Sequence, residues 1–282
     1  MFPFHLPVRW SDLDAQGHVN NALVIDYMQE ARVAFFRAGP TSALLDSGVV
    51  VVGHRVGYRS AIAYSDRGVG VELRVSSVGG ARFEVAYDIS QDSRLVARAT
   101  TVLCPYDFDE GRPTRLTEAD REYLATVRAD VKPLRDVPTA AMHGRGSVTD
   151  LTLRWSDNDS YGHVNNVKMY DFLQQARIEA TAQWDPTMAR VGAGDSPHLW
   201  LVARQDVDYL RQMSHRLTPY AVRTAPVVLG TSSMTLAVEV FDPGAGTVFA
   251  RGRTVLVCAD AELHPVALPA TIRQRLAPHL LG

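Results

Sequence analysis

The stretch Arg9–Asn21 reads RWSDLDAQGHVNN, and Arg154–Asn166 reads RWSDNDSYGHVNN. Ten of the thirteen positions are identical. Such a polar segment written twice is a duplication. Whether a motif or a whole domain was copied depends on the residues downstream of each copy. In both copies a helical pattern comes next. Val24, Tyr27, Met28, Ala31 and Phe35 answer to Met169, Phe172, Leu173, Ala176 and Ala180. The spacing i, i+3, i+4, i+7, i+11 lays one apolar stripe along a helix. Ala31-Arg32 and Ala176-Arg177 stand in the same register.

Strand-like stretches come after the helix in matching order. VVVVGHRVGY (Val49–Tyr58) parallels LWLVARQDVDY (Leu199–Tyr209), two further Val-, Thr- and aromatic-rich pairs come next, and LVARATTVLC and VFARGRTVLVC close each set. β-branched and aromatic residues between turn residues read as strands. Asp92-Ser93-Arg94 and the DPGAG run at Asp242–Gly246 stand where hairpin turns are expected. The tails RPTRLTEADREYL (Arg112–Leu124) and HPVALPATIRQRL (His264–Leu276) also correspond. The offset grows from 145 residues at the motif (9 to 154) to 152 at the tails (112 to 264), so an insertion is expected near Trp184–His198. A period this long excludes a solenoid. The expected order per copy is strand, helix, four strands and a short tail helix, in an α+β fold. The expected domains are 1–128 and 147–282, joined by a linker, 129–146, that lacks periodicity.

Bulk properties narrow the function classes. The 282 residues suffice for two ordinary domains. Hydrophobic content of 46% and charged content of 21% are those of a soluble globular chain. A net charge of −2 gives no electrostatic case for nucleic acid as a partner. Two cysteines, Cys104 and Cys258, make neither a disulfide framework nor a zinc cluster. The start, MFPFHLPVRWSD, lacks the basic and apolar regions of a secretory signal, and no apolar run has the length of a membrane helix. The expectation is a cytoplasmic protein without membrane insertion.

The repeated motif admits three readings. D-x-D-x-x-G opens like a calcium loop, but the twelfth position should be a bidentate Glu. Counting from Asp12 and Asp157, it is Leu23 and Lys168, and metal binding is not expected. A structural reading makes Asn20 or Asn21, and Asn165 or Asn166, helix caps, and makes Trp10 and Trp155 packing residues. Capping alone does not call for Asp, Gly and His together, twice. The third reading is a site for acyl transfer. Asp14 and Asp159 would attack a carbonyl or deprotonate water, while His18 and His163 would donate to the carbonyl or orient the carboxylate. A helix N-terminus would favour the oxyanion, and Gly17 and Gly162 would admit substrate close to the backbone. No G-x-S-x-G elbow, nucleotide-binding glycine loop or H-E-x-x-H motif offers a rival chemistry or implies a cofactor.

The pattern W-x-D-x-D-x-x-G-H-V-N-N, running into a long helix with Ala-Arg, resembles the hotdog-fold acyl-CoA thioesterases of the 4-hydroxybenzoyl-CoA thioesterase-like group. The resemblance covers nearly the whole chain apart from the linker. It implies two tandem hotdog domains, each an antiparallel sheet wrapped around a long central helix, forming an internal pseudo-dimer prone to further homo-oligomerisation. It also implies hydrolysis of an acyl-CoA to free acid and CoA. The family's catalytic carboxylate falls on Asp14 and Asp159, with Asp12 and Asp157 supporting the turn. Plant acyl-ACP thioesterases are similar too, but they carry Asn where this chain has Gln16 and Tyr161, which favours the acyl-CoA branch. An acidic pair often precedes the family's Ala-Arg; here the first copy has Gln29-Glu30 and the second Gln174-Gln175, so that only the first keeps an acidic residue. Asn21, Glu30, Tyr58, Asn166 and Tyr209 join Gly17 and Gly162 as expected substrate-side residues. Alternatives are a hotdog hydratase or dehydratase, whose signature sets Asp and His five apart rather than four, and a non-catalytic acyl-CoA-binding module.

Overall fold

The computed structural model describes residues 1–189 and 198–281. Residues 190–197 of the expected insertion lie outside the described residues. The chain divides into two compact units, Met1–Leu134 and Arg135–Gly282.

In the first unit β1 (Phe2–Leu6) leads through the motif to α1 (Leu23–Arg37) and the short α2 (Ala43–Ser47). Strands β2 (Val49–Tyr58), β3 (Val69–Val78), β4 (Phe83–Gln91) and β5 (Arg94–Asp107) come after them, then the short β6 (Arg112–Pro113) and helix α3 (Glu118–Ala125). The second unit repeats the plan with β7 (Ser147–Leu151), α4 (Lys168–Trp184), β8 (Leu199–Tyr209), β9 (Tyr220–Leu229), β10 (Ser233–Phe241), β11 (Val248–Ala259) and α5 (Ala270–Leu276). The first sheet runs β1-β3-β4-β5-β2, with β6 beside β5, and the second runs β7-β9-β10-β11-β8. Neighbouring strands within each unit are antiparallel. The order of elements read from the sequence is the order found, and each unit is a hotdog: one long helix held by one antiparallel sheet.

The helices are buried more widely than a single stripe. Val24, Tyr27, Met28, Ala31 and Phe35 are inside, but so are Ile25, Phe36 and Arg32. A sheet that curls around a helix covers more of its circumference than a flat layer does. Phe35 meets Phe2 edge-on at 5.4 Å and stacks on Tyr123 of α3 at 4.9 Å, while Phe36 meets Phe83 of β4 at 5.9 Å. The buried Arg32 guanidinium donates to the Tyr87 hydroxyl at 3.2 Å. In the second unit Met169, Phe172, Leu173, Ala176 and Ala180 are buried, and the far end of α4 packs Trp184 against Met234, Leu236, Leu256 and Ile272.

Asp92 and Ser93 form a two-residue hairpin between β4 and β5 with both φ positive, at 49° and 62°. That is the turn whose twist matches antiparallel strands. The aperiodic stretch 129–146 is fastened at both ends. Ala129 donates its N–H to Val75 at 3.0 Å, beside the register shift in β3. Met142 is buried with Ala225, Ala237 and Leu281.

Candidate active site

The motif folds into a tight hairpin ahead of each long helix. Leu13 bridges Val19, the Asp14 N–H donates to the His18 carbonyl at 2.7 Å, and the Gly17 N–H donates to the Asp14 carbonyl at 3.0 Å. In the second unit Asn158 bridges Val164, with Asp159 to His163 at 2.7 Å and Gly162 to Asp159 at 3.2 Å. Gly17 and Gly162 both have φ +78°. That conformation costs an L side chain energy, so the turn itself calls for glycine. A Cβ at either position would meet nothing within 4 Å, so both also face open space.

Each half-buried carboxylate is held on one side only. Asp14 Oδ1 accepts the Gln16 N–H at 2.8 Å and the His18 N–H at 3.4 Å. Asp159 Oδ1 accepts the Tyr161 N–H at 2.9 Å and the His163 N–H at 3.2 Å. Oδ2 of both aspartates accepts no hydrogen bond from a described residue. The imidazole of His18 likewise has no hydrogen-bonding partner among the described residues. A carboxylate fixed through one oxygen and open at the other is fit to take a proton or to attack.

The first Asp of each motif is structural in geometry. Asp12 Oδ2 accepts the Arg9 N–H at 2.9 Å and the Tyr27 hydroxyl at 2.6 Å. Burial, followed by the hydrogen bond to Asp12, pushes the Tyr27 phenol well above its usual range. Asp157 accepts the Arg154 N–H at 2.7 Å, and Phe172 stands where the first unit has Tyr27. The cap falls on Asn20 and Asn165: their Oδ1 atoms accept the N–H of Ala22 and Val167, each at 3.0 Å. The regular helices begin at Leu23 and Lys168, two residues past the first position these caps would give, within ordinary boundary scatter.

Tyr58 and Tyr209 reach these helix starts from β2 and β8. Their hydroxyls donate to the carbonyls of Asn21 at 2.9 Å and Asn166 at 2.7 Å. The sequence marks these tyrosines only by their repeat, since the contact joins residues far apart in the chain. Glu30 is exposed on α1 and is not drawn into the hairpin's hydrogen bonds. One expectation needs correction. Trp10 and Trp155 are not packing residues: they are 74% and 80% exposed, because the Trp-Ser-Asp turn directs them away from the sheet. The loop's own amides are also mostly committed. The N–H groups of Gly17, His18, Val19, Asn20, Ala22 and Leu23 all have partners in this region.

Each unit is thus a hotdog with this hairpin between its first strand and its long helix. The sequence profile of the thioesterase-like superfamily matches residues 8–126 and 153–276. The chain belongs to that superfamily and is a thioester hydrolase. No curated protein matches it in sequence. Among solved structures it is similar to a protein described as an oleoyl thioesterase from Lactobacillus plantarum, with TM-score 0.71 and 15% identity over 95% of this chain and 96% of that one. A 12:0-ACP thioesterase from Umbellularia californica gives 0.69 and 17% over 91% and 97%. An acyl-ACP thioesterase from Bacteroides thetaiotaomicron gives 0.68 and 13% over 90% and 96%. At those identities the likeness is one of fold.

Proposed function

We propose that the chain hydrolyses acyl-CoA thioesters to free acid and CoA, with Asp14 and Asp159 as the reacting carboxylates. The observation that carries this reading is the one-sided hold on each aspartate, made twice in the same way, with Oδ2 accepting no hydrogen bond from a described residue. Oδ2 takes a proton from water as the water oxygen bonds to the thioester carbon, or bonds to that carbon itself to give a mixed anhydride. In either case the C–S bond breaks and the thiolate leaves and is protonated; in the second route water then adds to the anhydride, its C–O bond breaks, and the free acid and the aspartate carboxylate are released. His18 and His163 donate to the carbonyl oxygen as its charge grows, and the helix end favours that charge. Gly17 and Gly162 leave room for the thioester. Asn21 and Asn166, tethered by Tyr58 and Tyr209, set the helix start against it, and Glu30 supplies an acidic group on the first unit's helix alone.

The test is a thiol-release screen over short, medium, long and aromatic acyl-CoAs, with acyl-ACP alongside because two of the structural neighbours are described as acyl-ACP thioesterases. Turnover of acyl-CoA that disappears when both Asp14 and Asp159 become Asn is the expected result; turnover near wild type in that variant would sink the assignment. A single turnover in ¹⁸O-water bears on the roles: label in the aspartate identifies a nucleophile whose anhydride is opened at the aspartyl carbon, whereas label in the product alone fits a general base or an anhydride opened at the acyl carbon. The proposal includes a cytoplasmic setting, in keeping with two buried free thiols, and a part in acyl-chain metabolism.

A further inference from the structure

The hydrolysis reading leaves the two exposed tryptophans unused. Single exposed aromatics are ordinary on protein surfaces. These two are not single. Trp10 meets Tyr64 edge-on with centroids 5.4 Å apart, and Trp155 meets His215 edge-on at 5.5 Å. Each pair joins the turn before the hairpin to the loop that leaves β2 or β8.

Those loops are anchored. Ile62 accepts the Val19 N–H at 2.8 Å, and Gln91 holds Ala63 through both its carbonyl and its amide. In the second unit Met213 accepts the Val164 N–H at 2.9 Å, and the Tyr220 hydroxyl donates to Ser214 at 2.9 Å. Each tryptophan is therefore steadied at one edge, with most of its surface in solvent. Exposed arginines stand next to it and on the facing loop: Arg9 and Arg59 in the first unit, Arg154 and Arg211 in the second. None of the four has a carboxylate partner among the described residues.

We infer that Trp10 and Trp155 are platforms on which the adenine of CoA stacks, with Arg9, Arg59, Arg154 and Arg211 taking its phosphates. A flat ring open to solvent accepts any purine face, and guanidinium groups suit phosphate oxygens. Trp10 and Trp155 stand four residues before Asp14 and Asp159 in the chain and are largely in solvent, where a polar nucleotide fits and an acyl chain, which calls for an apolar enclosure, does not. A carrier protein's phosphopantetheine arm has no purine to stack. The inference rests on the acyl-CoA reading and deepens it, because it makes CoA the carrier the surface recognises.

Two measurements test it. Tryptophan emission is titrated with CoA, adenosine 3′,5′-bisphosphate and pantetheine. The first two are expected to quench and pantetheine is not, and the quenching is expected to vanish in a Trp10→Ala/Trp155→Ala variant. The ratio of kcat/KM for an acyl-CoA over the matching acyl-pantetheine is then compared between wild type and that variant. The expected fall is roughly ten- to hundredfold, the range that base stacking on an aromatic ring supplies, and it is carried in KM. The ratio divides out any effect of the substitutions on folding or chemistry. Quenching that is absent or survives in the variant overturns the inference, as does an unchanged ratio or a preference for acyl-ACP. Thiol release at equal efficiency from acyl-CoA and acyl-pantetheine defeats the platform alone. Absence of thiol release from every thioester defeats the hydrolysis reading instead, and the titration with the bisphosphate still decides the platform.

Discussion

In the proposed mechanism Asp14 and Asp159 each carry two tasks on two oxygens. Oδ1 closes the hairpin by accepting two backbone N–H groups, and Oδ2 is the proposed reacting atom. Asparagine keeps an oxygen for the first task and loses the second. Asp14→Asn with Asp159→Asn should therefore lower kcat by roughly 10²- to 10⁴-fold, the worth of a positioned acid–base group, while circular dichroism and Tm stay near wild type. Gly17 offers a separate test of the turn. Alanine there meets no neighbour but must adopt φ +78°. Gly17→Ala should cost about 1–2 kcal/mol in urea unfolding, and Gly17→Asn distinctly less, because asparagine visits that region more easily. Equal costs for the two variants would mean that something other than backbone conformation requires the glycine.

The long helices are positioned at their N-termini by side chains from elsewhere in each unit. Tyr58 and Tyr209 tether carbonyls just ahead of α1 and α4, and in the first unit Tyr27 reaches back from the helix to Asp12. Removing the Tyr58 hydroxyl should cost about 0.5–1.5 kcal/mol, the usual net worth of a hydrogen bond. If the tether sets the helix start against the substrate, Tyr58→Phe should also lower kcat/KM of the first site. Tyr27 gives a pH signature. Its folded pKa is raised above the unfolded value of 10.0 because burial and the Asp12 carboxylate disfavour the phenolate. The stability it contributes is fully present below pH 10 and is lost as pH rises above that value. Denaturant midpoints of wild type should fall through the alkaline range more steeply than those of Tyr27→Phe. Parallel curves would mean that the phenol is not held in this way.

At the scale of the whole molecule the chain carries the same unit twice, with differences at chosen points. Gln16 faces Tyr161 in the alignment, Tyr27 faces Phe172, and Glu30 faces Gln175. If both sites turn over, the kcat values of Asp14→Asn and Asp159→Asn should sum to about that of wild type, and their ratio measures how far the two have diverged. Loss of nearly all activity in one single variant and none in the other would assign turnover to one unit. Among the described residues no helix is long and apolar enough to cross a membrane.

Periodicity and repetition determined the architecture, because both depend on local rules. The i, i+3, i+4 stripes marked α1 and α4, strand-forming residues between turn residues marked the sheets, and the recurrence of every landmark marked two units. The same recurrence narrowed the candidate site residues to Asp, Gly and His in the hairpin. Tertiary structure alone decided what depends on residues distant in sequence: the hold of Tyr58 on Asn21, the full burial of Arg32 against Tyr87, and the commitment of the hairpin's amides. It also decided the fate of Trp10 and Trp155. Their apolar character reads as core, but whether a large ring finds a core depends on the direction in which a three-residue turn points it, and here the turn points it into solvent.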